Sequence, residues 1–307
     1  MRRLWNDGWS FLKGSVDTEL SEVKGRIAEF EQIDIPHDWL IYDSLNLYED
    51  GNGWYRKCFT WNEMGKRATI VFDGIYMDST VYINGNLAGE WKYGYSAFAL
   101  DVTPYLQQGD NEILVKVAFR SPNSRWYSGA GIYRDVWFAV TDETCIKEND
   151  IYVTSIRQGE DFLLTVETTV QKADGSRVYN SLSDAAGEEV TLFFAGEEIR
   201  EGKSAGEYCY RQKYTVKEPK LWDVENAYLY TLKTQLMKEE NCIQTEEQKI
   251  GFREIRFDCD KGFFLNGRSY PLHGVSRHQD WKGIGNAISY EQMDLDMDLI
   301  REVGANT

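Results

Sequence analysis

The chain has 307 residues, a formal net charge of −16 and 14% aromatic residues. That length leaves room for about two or three domains. The acidic balance argues against nucleic acid and anionic membranes, which select basic surfaces, so neither is expected as a partner. No run approaches the roughly 20 apolar residues of a membrane-spanning helix.

The opening Met1-Arg2-Arg3 runs straight into Leu4-Trp5-Asn6-Asp7, without the apolar core of a signal peptide. Cys58, Cys145, Cys209, Cys242 and Cys259 are scattered and never spaced as CxxC. No zinc site or disulfide framework follows. The expectation is reduced, mostly buried thiols in a reducing, cytoplasmic compartment.

The first domain is expected over residues 1–141. Ile113, Val115, Val117 and Phe119 alternate along one strand, with Leu114 breaking the polarity of the other face. Val81 and Ile83 precede Asn84-Gly85, a hairpin signal. No stretch here has helical periodicity, and many short strands between turns predict a sandwich or jelly roll. Trp39, Trp54 and Trp91 read as core, since large aromatics are mostly buried. His37 between Pro36 and Asp38 reads as a structural histidine tied by Asp38. Gly129-Ala130-Gly131 is no phosphate cradle, because a phosphate loop opens a helix and residues 132–140 read as a strand. These glycines predict positive φ or close backbone approach.

The polar stretch 141–148 marks a boundary. From 149 to 251, Phe162, Leu164, Val166, Thr168 and Val170 alternate, as do Val190, Leu192 and Phe194, then Tyr208, Tyr210, Gln212 and Tyr214, then Tyr228, Tyr230 and Leu232. About seven strands in ~100 residues predict an immunoglobulin-like sandwich. The third segment, 252–307, changes character. Phe263-Phe264-Leu265 leads into an Asn266-Gly267 hairpin signal, and a second strand is expected over residues 270–275. Arg277, His278, Gln279 and Asp280 then cluster where an α/β barrel puts its chemistry. Ser289 with Gln292 makes a capping box, Met293, Met297, Ile300 and Val303 share a helical face, and Gly304 suits the C-cap. The tail therefore reads as one βα unit.

At these residues the sequence resembles glycoside hydrolase family 2. Residues 262–280 (GFFLNGRSYPLHGVSRHQD) with GANT at 304–307 look like the start of that family's TIM (β/α)8 barrel. The phrases IPHDW at 35–39, GNGWYRK at 51–57, FDGIYMDSTVYINGNLAG at 72–89 and RWYSGAGIYRDVW at 125–137 resemble its jelly-roll sugar-binding domain. LWDVENAYLYTL at 221–232, with Ala227 where proline is usual, and GFREIRF at 251–257 resemble its middle domain and barrel entry.

The resemblance implies a mostly β chain: jelly roll, immunoglobulin-like sandwich, then a truncated start of the barrel. It implies a retaining exo-β-glycosidase, first a β-galactosidase, with β-glucuronidase and β-mannosidase as alternatives. A self-sufficient carbohydrate-binding module or a structural pair of sandwiches would have no use for the βα tail. The expected partner is a β-galactoside or related carbohydrate, and the parent is expected to be a homo-oligomer. Retention needs two glutamates ~5 Å apart. In the family both lie on later barrel strands, beyond Thr307, so no catalytic residue is assigned. No cofactor or metal site is expected in this chain, although the complete barrel leaves room for a divalent or sodium ion. The implied substrate-binding residues are His278 first, then Asp280 and Arg277, with an ion pair that holds the loop as the alternative role for Arg277. Arg125 stands where well-known members carry an aspartate. It either donates to sugar hydroxyls or pairs with an acid.

Overall fold

The computed structural model describes residues 2–307, and the chain falls into two compact units. The first comprises the residues up to Val140 together with Ser276–Val303. The second comprises Thr141–Val275 and Gly304–Thr307.

The first unit is a jelly-roll sandwich. Its strands are β1 (Arg2–Leu4), β2 (Trp9–Gly14), β3 (Glu31–Ile33), β4 (Gly51–Trp61), β5 (Arg67–Phe72), β6 (Ser79–Ile83), β7 (Asn86–Trp91), β8 (Phe98–Asp101), β9 (Gly109–Phe119) and β10 (Val136–Thr141). One sheet runs β3-β2-β4-β9-β6-β7 and the other β1-β10-β5-β8. Ile113, Val115, Val117 and Phe119 on β9 all turn into the core, where they meet Trp9, Trp39, Tyr55 and Phe138. Burying such side chains stabilises by roughly 1.5–3 kcal/mol each.

Leu114 has its own explanation. A short helix α1 (Leu20–Gly25) lies on the opposite face of the six-stranded sheet, and Val23 packs there with Leu12, Trp54 and Leu114. The sequence showed no helical periodicity because six residues hold fewer than two turns. The break in alternation is that helix's footprint. Trp39 and Trp54 are core as expected, whereas Trp91 is 37% exposed and stacks on Phe98.

The strand expected from residue 132 begins only at Val136. Before it, Gly131 bridges Tyr76 through two backbone hydrogen bonds. Gly129 (φ +67°) and Gly131 (φ +145°) occupy backbone that glycine favours, and a Cβ on Gly131 would strike the His37 carbonyl and Tyr55 hydroxyl.

The second unit contains β11 (Cys145–Gln158), β12 (Asp161–Gln171), β13 (Ser176–Ser183), β14 (Glu189–Val190), β15 (Phe193–Glu201), β16 (Tyr208–Val216), β17 (Tyr230–Lys238) and β18 (Asn241–Ile250). Two four-stranded sheets, β11-β12-β16-β15 and β14-β13-β17-β18, make an immunoglobulin-like sandwich. Phe162, Leu164, Val166, Thr168 and Val170 are all buried, but Phe194 on the edge strand is 64% exposed. The cysteine expectation needs correction: Cys145 is buried and Cys209 intermediate, but Cys58, Cys242 and Cys259 are exposed, and none of the five forms a disulfide.

A small sheet of β19 (Ile255–Asp258), β20 (Gly262–Leu265) and β21 (Arg268–Ser269) follows. Asn266 (φ +51°) and Gly267 (φ +78°) form its hairpin turn, the two left-handed residues of a type I′ connection. The strand expected over residues 270–275 is absent. A barrel strand needs a ladder on each side, and this stretch has scattered hydrogen bonds instead: the Tyr270 N–H donates to Phe263 O at 3.0 Å, the Val275 N–H to Thr307 O at 3.0 Å and the Asn306 N–H to His273 O at 2.9 Å. Asn306 also takes the His273 N–H on its Oδ1 at 2.8 Å and donates from Nδ2 to Pro271 O at 2.9 Å.

Helix α2 (Tyr290–Glu302) belongs to the first unit. Its capping box is present, with the Ser289 N–H donating to Gln292 Oε1 at 2.7 Å, and Gly304 takes φ +83° beyond its end.

Candidate sugar-binding site

A cavity of about 630 Å³ opens on the first unit. Its wall comes from the loop before β8, the 123–134 loop and the 277–286 loop. Tyr93, Tyr95 and Trp126 are 62%, 37% and 43% exposed there, so flat apolar rings reach solvent instead of filling core. Trp126 is held in place by donating from Nε1 to the Tyr95 hydroxyl at 3.2 Å, and its ring lies 5.2 Å from that of His278. Tyr76, Asn123, Ser128 and Gln279 add hydroxyl and amide groups. This combination suits a ligand with C–H faces and many hydroxyls.

Beneath the wall lies Asp38, 3% exposed. Its Oδ1 accepts the backbone N–H of Leu40 at 3.1 Å and of Ala130 at 3.0 Å. Its Oδ2 accepts the Tyr127 hydroxyl at 2.6 Å and the Asn286 N–H at 2.8 Å. Burial pushes the Asp38 carboxyl above its usual range, and the four donors offset only part of that rise. Tyr127 is raised strongly, first by burial and then by the adjacent carboxylate. It therefore stays a hydroxyl donor.

His37 is structural, but Asp38 does not tie it. Its Nδ1 lies 2.7 Å from the Tyr55 hydroxyl and its Nε2 2.6 Å from that of Tyr42. Tyr55 already accepts from the Ile132 N–H at 3.3 Å. Its proton is therefore best used on Nδ1, which leaves the proton of the imidazole on Nε2 to reach Tyr42. Burial lowers the His37 pKa to about 4.

The four residues picked out from sequence separate here. Arg277 and His278 line the cavity. Arg277 donates from Nε to Asp296 Oδ2 on α2 at 2.7 Å, so its charge is matched. Asp280 is exposed and off the cavity wall, though close enough for its charge to act on Tyr127. Arg125 is exposed beside Trp126 and also off the wall. Sequence reasoning missed Trp126, Tyr127, Asn286 and the role of Asp38. The last has partners 89, 92 and 248 positions away, and no spacing rule reaches that far. Among the described residues, Asp258, Cys259 and Asp260 have metal-like spacing, but Asp258 already caps its own turn through the N–H groups of Asp260 and Lys261.

A jelly roll that presents fixed aromatic rings and uncharged polar groups around an open cavity is the layout of a carbohydrate-binding domain. Three family models agree with that class: Glycosyl hydrolases family 2, sugar binding domain, over residues 31–142; Glycosyl hydrolases family 2 over 144–253; and Glycosyl hydrolases family 2, TIM barrel domain, over 258–307. The chain belongs to glycosyl hydrolase family 2. It is 37% identical over 297 residues to the beta-galactosidase BoGH2A of Bacteroides ovatus, a match covering 91% of this chain and 34% of that protein. It is 30% identical to a beta-glucuronidase of Bacteroides fragilis, covering 99% of this chain and 45% of that one. A calcium binding mutant of Bacteroides uniformis beta-glucuronidase 2 superposes with a TM-score of 0.83 at 28% identity, over 100% of this chain and 39% of that structure. The chain thus spans about a third to a half of the length of these relatives.

Proposed function

We propose that this chain supplies the substrate-positioning wall of a retaining exo-β-glycosidase acting on terminal β-galactosides. The observation that carries the reading is His278, seated against the fixed indole of Trp126 at a cavity lined by hydroxyl and amide groups. A neutral sugar is recognised through hydroxyls, and a site built to bond them rejects analogues that leave its polar groups unpaired. His278 offers such a bond at the wall, with Arg277 neutralised by Asp296 behind it. The carboxylate pair that cleaves the glycosidic bond is assigned to later barrel strands, in keeping with the share of the relatives that this chain spans. An ion in the completed barrel is part of the same proposal, supported by the neighbour that is a calcium binding mutant.

A β-glucuronidase is the second reading, and Arg134 favours it. Its guanidinium lines the same cavity over the ring of Tyr133, 5.1 Å away, and a uronate carboxylate would seek such a cation. The experiment is steady-state turnover of nitrophenyl β-galactoside and nitrophenyl β-glucuronide by the full-length protein, with product stereochemistry followed by NMR. A higher kcat/KM for the galactoside, with retention, is expected. A glucuronide preference that Arg134→Ala abolishes would replace the first reading by the second. His278→Ala is expected to lower kcat/KM by at least ~10-fold, the equivalent of one lost hydrogen bond of about 1.5–3 kcal/mol.

A further inference from the structure

We propose that Asp38 is a positioning residue whose single buried carboxylate anchors both members of the Trp126–His278 ring pair. This rests on the reading of His278 as a sugar-binding residue. On one side, Oδ2 accepts the hydroxyl of Tyr127 at 2.6 Å, and Tyr127 follows Trp126 directly in the chain. On the other, the same oxygen accepts the Asn286 N–H at 2.8 Å. The Asn286 carbonyl accepts from Gln279 Nε2 at 3.1 Å, and Gln279 follows His278. Asn286 Nδ2 also donates to Ser128 O at 2.6 Å, which joins the two loops a second time.

The carboxylate has no freedom to shift. Oδ1 is committed to Leu40 and Ala130, and Oδ2 to Tyr127 and Asn286, so each oxygen takes two donors, the capacity of its lone pairs. The packing around it admits nothing larger than hydrogen at two places. A Cβ on Gly129 would stand 2.5 Å from Asp38 Oδ2, and one on Gly285 would collide with the same oxygen. An asparagine at position 38 keeps the shape but not the chemistry. Whichever way its amide turns, an NH2 group faces at least one backbone N–H. Two loops would then loosen together, and displacing a positioned group by ~1 Å costs about 100-fold in a well-oriented site.

The chain holds only His37, His273 and His278, so side-chain histidine NMR resolves each ring. In the wild-type chain, the His278 ring protons are expected upfield, shifted by the Trp126 ring current, and Trp126→Leu removes that shift. Asp38→Asn is expected to remove it as well, while His273, which lies in the other unit, stays in place and thermal unfolding stays cooperative. If Asp38→Asn does not fold, Tyr127→Phe decides: deleting that one hydroxyl is expected to move the His278 signal toward its Trp126→Leu position. A folded Asp38→Asn with the wild-type His278 shift overturns the proposal, as does an unmoved signal in Tyr127→Phe where that variant decides. In the full-length protein, Asp38→Asn is expected to lower kcat/KM on nitrophenyl galactoside by ~10-fold or more. A displaced His278 signal with unchanged turnover would uphold the anchor and overturn the sugar-binding role of His278.

Discussion

His37 sits buried between two tyrosine hydroxyls, and that placement ties folding stability to pH. Its pKa falls from 6.5 to about 4 on folding, so between those values the unfolded chain binds the extra proton. Its contribution is therefore fully present above pH 6.5 and is lost as pH falls toward 4, by about 3 kcal/mol over the whole window. Denaturant unfolding at several pH values is expected to show this slope, and His37→Gln to flatten it relative to wild type. Gly285 supplies a second expectation. It takes φ +60°, and a Cβ there would strike Asp38 Oδ2, so Gly285→Ala is expected to destabilise the first unit by about 1–3 kcal/mol, read as a lowered midpoint. Neither the histidine's partners nor this glycine's role was legible in the chain. Asp38 beside His37 suggested a local pair, but hydrogen bonding is settled by what the fold brings near, and the fold brought Tyr42 and Tyr55.

Secondary elements were legible where period and cap agreed. The alternation on β9 and β12, the two Asn-Gly hairpins and the capping box of α2 each reflect local geometry that side chains report directly. The strand expected over residues 270–275 had the right residues but no ladder to join, since strand formation is a property of partners. Helix α2 has the opposite problem. None of its residues is buried, and Met297 and Val303 are 50% and 76% exposed. An amphipathic helix gains its stability from covering that face, so the isolated chain is expected to self-associate. Sedimentation velocity at rising concentration should reveal a dimer or larger species, and Met297→Lys with Val303→Lys should return it to monomer. A monomer for the unmodified chain at all concentrations would refute this.

At the scale of the molecule, the charge of −16 opposes that association, and salt at about 0.1 M largely screens exposed charges more than ~10 Å apart. The dimer fraction is therefore expected to rise with ionic strength, whereas an association held by ion pairs would fall. The chain alone is expected to leave nitrophenyl galactosides intact, with the full-length protein hydrolysing them. Turnover by the purified chain, persisting after contaminants are removed, would refute the assignment of the glutamate pair to later strands.

The Asp38 hydrogen bond to Asn286 spans 248 positions. During synthesis at about 5–20 residues per second, roughly 10–50 s separate the two ends. The jelly-roll strands are complete long before residue 286 leaves the ribosome, so for that interval the carboxylate of Asp38 lacks one of its donors and Ser128 O lacks its amide. The first unit must therefore mature in two stages, a sandwich that forms early and a returning segment, Ser276–Val303, that docks late. A gene fragment cut after the jelly roll would encode only the first stage, with the wall of its cavity left unfinished.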